Sequence, residues 1–167
     1  NLDTEEDDEI CVGCAGGIDI TMSKNYPLQE LKEDEINVKI LLNGLTGGHS
    51  GAEIHKGLGN SNKILFELIQ KLNSDFDVKI CSIDGGGLRN AIPRESSTII
   101  SFDEDNLNSF KKIMKNTSQT LVAEFKETDD NINLEFELLE NRFQTIGAIE
   151  SKELINAINE CPNGVFE

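Results

Sequence analysis

Tryptophan is absent from this sequence and tyrosine occurs once, so eight phenylalanines make up nearly all of its aromatic content. A core built from it must rest on Ile, Leu and Val. No apolar run approaches the roughly 18–20 residues of a membrane-spanning helix, and no signal peptide is visible. Basic residues are also few: 15 Lys and Arg stand against 31 Asp and Glu, a formal net charge of −16. A field of that sign repels phosphate backbones and anionic headgroups, which argues against nucleic acid or a membrane surface as partner. Histidine is nearly missing too. His49 and His55 are the only two, and both lie in GLTGGHSGAEIHKGLGN (44–60), where six of seventeen residues are glycine.

The 167 residues suit one domain, or one domain with part of a second. The start at Asn1 without a leader leads us to expect a processed or excised piece of something larger. The four cysteines admit two disulfides or one zinc site. Cys11 and Cys14 have the Cys-x-x-Cys spacing of a zinc knuckle, but Cys81 and Cys161 do not complete it. Buried, reduced thiols in a cytosolic protein are the simpler expectation.

Periodicity organises the rest. After the acidic DTEEDDE (3–9), ICVGCAGGIDITM is expected to form a long N-terminal strand broken at Gly16-Gly17. INVKILLNG alternates at the strand period. Ile64, Leu65, Leu68, Ile69 and Leu72 form a helical stripe capped by Asn60 or Ser61. Residues 77–84 and 97–103 read as strands, residues from Leu107 to Phe125 as a helix, and 131–140 as a strand. A short helix follows Ser151. From 36 to 140 the order is β-α-β-β-α-β, which predicts an α+β, ferredoxin-like domain: an antiparallel sheet with two helices on one face. Lys39, Asn43, Glu135 and Glu137 predict that the other face is partly wet.

Three segments could carry chemistry. In the glycine-rich one, a phosphate cradle is disfavoured because the Gly-x-x-x-x-Gly-Lys-Ser/Thr and dinucleotide spacings are missing and the charge is wrong. The glycines flanking His49 leave its imidazole open to a ligand, or else His49 is a plain surface residue; the spacing to His55 is not one of a metal pair. In GGGLRNAIPRE (85–95), Arg89, Asn90 and Arg94 are either functional or parts of an elaborate turn. In NLDTEEDDE, Asp3 follows an apolar residue and is the best-placed single carboxylate within a run that otherwise reads as a solvated turn.

Taken together, NLDTEE…GCAGGID, GLTGGHSGAEIHKGLGNSNK and GGGLRNAIPRE resemble the aminoacyl-histidine dipeptidases, also called Xaa-His or cytosolic non-specific dipeptidases. These belong to the co-catalytic di-zinc peptidases, and the resemblance runs the length of the chain. It implies a lid and dimerisation domain of ferredoxin-like fold over residues 26–167, lacking its last strands. Residues 1–25 would be the junction with a catalytic domain that is not included. It implies a cytoplasmic parent enzyme that cleaves dipeptides with metal-activated water. Two zinc ions, or other divalent metals, would sit in each active site, and none is expected on this chain alone. Asp3 matches a ligand to one zinc. His49 matches a lid histidine that stabilises the oxyanion, in dimeric relatives from the neighbouring subunit. Asn62 (or Asn60) and Asn90 match positions that face the substrate. The implied partners are a dipeptide, the catalytic domain and a second copy of the chain. A non-catalytic dimerisation module of the same fold is the alternative.

Overall fold

The computed structural model describes residues 16–165. Its strands and helices are β1 (Leu28–Gln29), β2 (Glu35–Asn43), β3 (Gly48–His49), α1 (Ser61–Asp75), β4 (Lys79–Gly85), β5 (Ala91–Ile92), β6 (Ser96–Asp103), α2 (Leu107–Glu124), β7 (Asn133–Leu139), β8 (Thr145–Ile146) and α3 (Ala148–Glu160). The main sheet has the order β4-β6-β2-β7, with every pair antiparallel. With α1 after β2 and α2 after β6, this is the ferredoxin-like arrangement expected from the pattern.

Register decides which face is buried. Val38 lies opposite Ile100 and Leu138, and Ile40 opposite Thr98 and Phe136. These residues share the face that α1 and α2 cover, so Val38, Ile40, Leu42, Ile100 and Phe102 are fully or almost fully buried. The helical stripe from Ile64 to Leu72 and Phe110, Met114 and Leu121 of α2 close the same core. Half of the scarce phenylalanine is spent in one row: Phe76, Phe102, Phe110 and Phe136 follow one another at centroid spacings of 5.1, 5.1 and 5.0 Å. Phe–Phe contacts at this spacing add to the burial itself.

The start of α1 is set by Asn60, whose side-chain oxygen accepts the N–H groups of Asn62 and Lys63, two of the donors a helix N-terminus leaves unpaired. The tail helix α3 packs along α1, with Ile155 fully buried. Its last turn is capped from outside: the Lys63 ammonium donates to the carbonyls of Ile158, Asn159 and Cys161 at 3.1, 2.6 and 2.8 Å. A cation on these oxygens also suits the negative end of the helix dipole.

Two expectations are modified. Residues 1–15, including Asp3, Cys11, Cys14 and most of the expected N-terminal strand, lie outside the described residues. Residues 16–27 form no strand: Ile18, Ile20 and Met22 alternate as a strand would but are 80–90% exposed. No described strand lies beside them to supply ladder partners, and alternation alone does not hold an extended segment. The cysteines also differ from one another. Cys161 is exposed. Cys81 sits at a register irregularity in β4, and burial pushes its thiol up to about 12. A hydrogen bond from Asn37 opposes that rise and the charge of Glu35 adds to it. A thiol so held stays protonated and unreactive.

At one end of the sheet Glu35 is buried beside Lys79, Nζ to Oε1 2.5 Å. Burial by itself raises this carboxyl, but the Lys79 hydrogen bond, the Lys32 N–H and the charges of both lysines together hold it below its ordinary value. The folded form is therefore favoured by the ionised group. Its contribution is full above the ordinary glutamate range and disappears as pH falls through the depressed folded value. Urea unfolding of the chain and of Glu35→Gln, measured from neutral to acid pH, should give a stability difference that narrows toward acid; a difference independent of pH would refute the assignment.

Candidate functional site

The glycine-rich segment and the 85–95 hairpin, separate in sequence, form one structure beyond the ends of β2, β4 and β6. Strand β3 pairs with β5, placing His49 opposite Ala91 and Gly48 opposite Ile92. The Ser50 N–H donates to the Asn90 carbonyl at 2.9 Å, and Ser50 Oγ donates to the Arg89 carbonyl at 3.3 Å. Gly47 is in the left-handed region (φ +67°), and a Cβ there would lie 2.2 Å from Arg94 Cγ. Only glycine lets the loop approach the hairpin so closely. The Ser61 N–H, at the start of α1, reaches the Pro93 carbonyl.

Asp3 apart, each site residue expected from the sequence has a place in the structure. His49 is exposed on β3 and Asn90 is exposed one residue before its partner Ala91. Asn62 is half-buried, and its amide lies against the backbone of Gly85 and Gly86, where added Cβ atoms would meet it at 2.3 and 2.8 Å. Asn60 is committed to the α1 cap and to Asn163. His49, Asn62 and Asn90 thus share one end of the sheet. His55 is exposed in the short 3-10 turn Ile54–Lys56. A cleft of about 360 Å³ lies alongside, between Asp84–Leu88 and Ala91–Ser97, with Arg94 and Glu95 in its wall.

The imidazole of His49 is held by main chain. Its Nδ1 accepts the N–H groups of Gly51 and Ala52, both at 3.0 Å. A ring nitrogen that accepts carries no proton, so the neutral ring has its proton on Nε2 and can donate from there. The His49 N–H donates to Glu53 Oε2 at 2.8 Å, and the Glu53 N–H returns a bond to the His49 carbonyl. Lys56 holds the other carboxylate oxygen at 2.7 Å. The Lys56 hydrogen bond and then the His49 N–H lower the Glu53 carboxyl below its usual value.

Two participants were not foreseen. Glu53, four residues after His49, had a signal: a carboxylate at that distance across a tight turn can reach back to a main-chain N–H. Asp129 had none, since ETDDN reads as another acidic turn. It is completely buried and accepts the N–H of Thr46 at 2.7 Å and that of Gly59 at 2.9 Å.

The described residues do not fit a metal: among them, no three His, Cys, Asp or Glu side chains come together as a metal site would require. Asp3 is not among them. No helix of the described residues is long and apolar enough to cross a membrane.

The family described as "Peptidase dimerisation domain" matches residues 40–129. The chain is 36% identical over 166 residues to the cytosol non-specific dipeptidase of Escherichia coli (strain K12), covering 99% of this chain and 34% of that protein. The crystal structure of aminoacylhistidine dipeptidase from Vibrio alginolyticus superposes with a TM-score of 0.81 at 28% identity, covering 86% of this chain and 29% of that one. A putative aminohydrolase from methicillin resistant Staphylococcus aureus, 13% identical with a TM-score of 0.50 over 83% of this chain and 37% of that one, shares the fold alone. The chain spans about a third of the length of the dipeptidases it matches.

The hydrogen bonds on Nδ1 make a direct spectroscopic expectation. Nitrogen-15 spectra of the neutral form of the His49 side chain should show an unprotonated, accepting Nδ1 and a protonated Nε2. A proton on Nδ1, or fast averaging of the two tautomers, would contradict the geometry.

Proposed function

This chain belongs to the peptidase dimerisation domain family, and from that premise we propose that it is the lid and dimerisation part of a metal-dependent dipeptidase. Residues 26–167 would be the lid, and residues 1–25 the junction with the catalytic domain. Exposed Ile18, Ile20 and Met22 fit a segment whose strand partners belong to that domain. The substrate class is dipeptides, Xaa-His among them, as the names of the two matching dipeptidases suggest. Zinc, two ions per active site, would be held by residues outside the described ones, in a cytoplasmic enzyme.

The observation that carries the reading is the state of His49. A donor at Nε2, fixed by main-chain bonds to Nδ1 and presented on an exposed strand, is the group needed to stabilise an oxygen that gains negative charge during amide hydrolysis. A flexible imidazole would have to be ordered at the moment of reaction. This one is already oriented, and preorganisation makes such donors effective. Asn90 is joined to the same strand through its carbonyl, and Asn62 lies beside the hairpin; both are assigned to the substrate pocket.

In the full-length enzyme, His49→Ala should lower kcat by ~10²–10³ with bound metal unchanged; loss of metal would make His49 a ligand instead. The 167-residue chain supplied with zinc and a Xaa-His dipeptide should show no turnover above background, and turnover would refute the division of labour between lid and catalytic domain.

A second reading, a dimerisation module without a catalytic part, is favoured by one of the two sheet edges. β4 has β8 and α3 against it, and the Ile80 N–H donates to Ser151 Oγ. Among the described residues β7 pairs with β2 alone, and its Phe136 and Leu138 are 36% and 46% exposed. An edge of this kind accepts another chain. Sedimentation equilibrium should show a dimer that Leu138→Lys weakens. A monomer at all concentrations would remove the homodimer from both readings.

A further inference from the structure

We propose that Asp129 is a positioning residue for His49, acting through the main chain of the 44–60 segment; its catalytic consequence rests on the reading of His49 as an oxyanion donor. Asp129 lies in the turn that joins α2 to β7, far from His49 in sequence and fully buried. Its two carboxylate oxygens each take one main-chain N–H, Thr46 near the beginning of the segment and Gly59 near its end. Thr46 Oγ1 adds a bond to the Thr128 carbonyl at 2.7 Å. The turn itself is held: the Asp129 N–H donates to Phe125, and the Ile132 N–H to Asp129. Gly44, with φ +78°, passes so close that a Cβ would lie 2.0 Å from the Asn131 carbonyl oxygen.

A buried carboxylate needs such donors, since an unpaired one is strongly disfavoured away from water. Here the donors are the two ends of the segment that carries His49. Between these fixed ends the chain has one further set of fastenings, the pairing of β3 with β5 and the Ser50 bonds to Asn90 and Arg89. Releasing the clamp leaves the N-terminal end of the segment held by buried Leu45 and the Thr46 hydroxyl, frees the Gly59 end, and loosens the frame that orients His49.

Asp129→Asn keeps the size of the side chain but turns an NH2 group toward one of the two N–H donors. The wild-type chain comes first: the Thr46 and Gly59 amides should exchange with solvent as slowly as sheet amides such as Ile40. Exchange at the rate of a free loop would overturn the proposal, whatever the variant does. In Asp129→Asn these two amides should lose protection and the His49 ring-nitrogen signals should change, while sheet amides stay protected. Unchanged ring signals would also overturn it.

In the full-length enzyme with a Xaa-His dipeptide, the substitution should lower kcat by up to on the order of 10²-fold, more than it changes KM. In a His49→Ala background it should lower kcat no further, since a residue acting through His49 has nothing left to position. Multiplicative losses in the double variant would mean that Asp129 acts elsewhere and would overturn the assignment. If His49→Ala alone leaves kcat intact, the oxyanion reading fails, and the exchange and ring-nitrogen measurements still decide whether Asp129 orients the imidazole.

Discussion

Thr46 and Gly59 stand near opposite ends of a segment with six glycines, and their amides meet on the two oxygens of one buried carboxylate, that of Asp129. Ordering a residue's backbone costs roughly 1–2 kcal/mol, and a loop so rich in glycine has the most freedom to lose. Hydrogen bonds to a charged acceptor contribute about 1.5–3 kcal/mol each. Two of them cannot order the whole segment, but they hold its ends, and the short β3–β5 ladder holds its middle. The remaining features of the site follow from these three attachments. His49 has a defined neighbour across the ladder, its ring meets the amides of Gly51 and Ala52, and the hairpin carbonyls of Arg89 and Asn90 are taken up by Ser50.

Much of this could be read before the coordinates. The βαββαβ order, the buried stripe of α1, a cap at Asn60 or Ser61 and the wet face bearing Lys39, Glu135 and Glu137 all follow from local periodicity and capping chemistry, which single stretches of sequence carry; the structure selects Asn60. The site was only partly legible. Glycines marked the two loops as unusual, but nothing in either one says that they pair with each other. Asp129 was invisible for the same reason. A buried acid and a solvated acid look alike in a run such as ETDDN, and only the approach of a loop from 70 residues away distinguishes them. The alternation of Ile18, Ile20 and Met22 was legible as a strand pattern, yet a strand exists only where another offers its backbone.

The domain also divides its polar groups by function. Glu35 and Lys79 neutralise one another at one end of the sheet, and Asn37 joins Cys81 to the Phe143 amide on the face away from the helices. Lys63 closes the last turn of α3. Each of these satisfies groups that burial would otherwise leave unpaired. At the opposite end, around His49 and the hairpin, polar atoms remain exposed.

The histidine is held mostly by amide hydrogens of the main chain, and that has a consequence for how the segment can vary over time. Every amino acid except proline supplies an amide hydrogen, so Ser50 or Ala52 could be exchanged for many others without removing the bonds that orient the ring, whereas a Cβ on Gly51 would press on the ring itself at 3.3 Å. Drift is confined by a few requirements: glycine at Gly47, where the loop crosses the hairpin, and at Gly44, where it passes the Asn131 carbonyl, an acid at 129, and no proline at Thr46, Gly51, Ala52 or Gly59. The segment can diverge widely in letters while its histidine stays in place, so in related chains backbone shape is a better guide to the equivalent loop than sequence likeness.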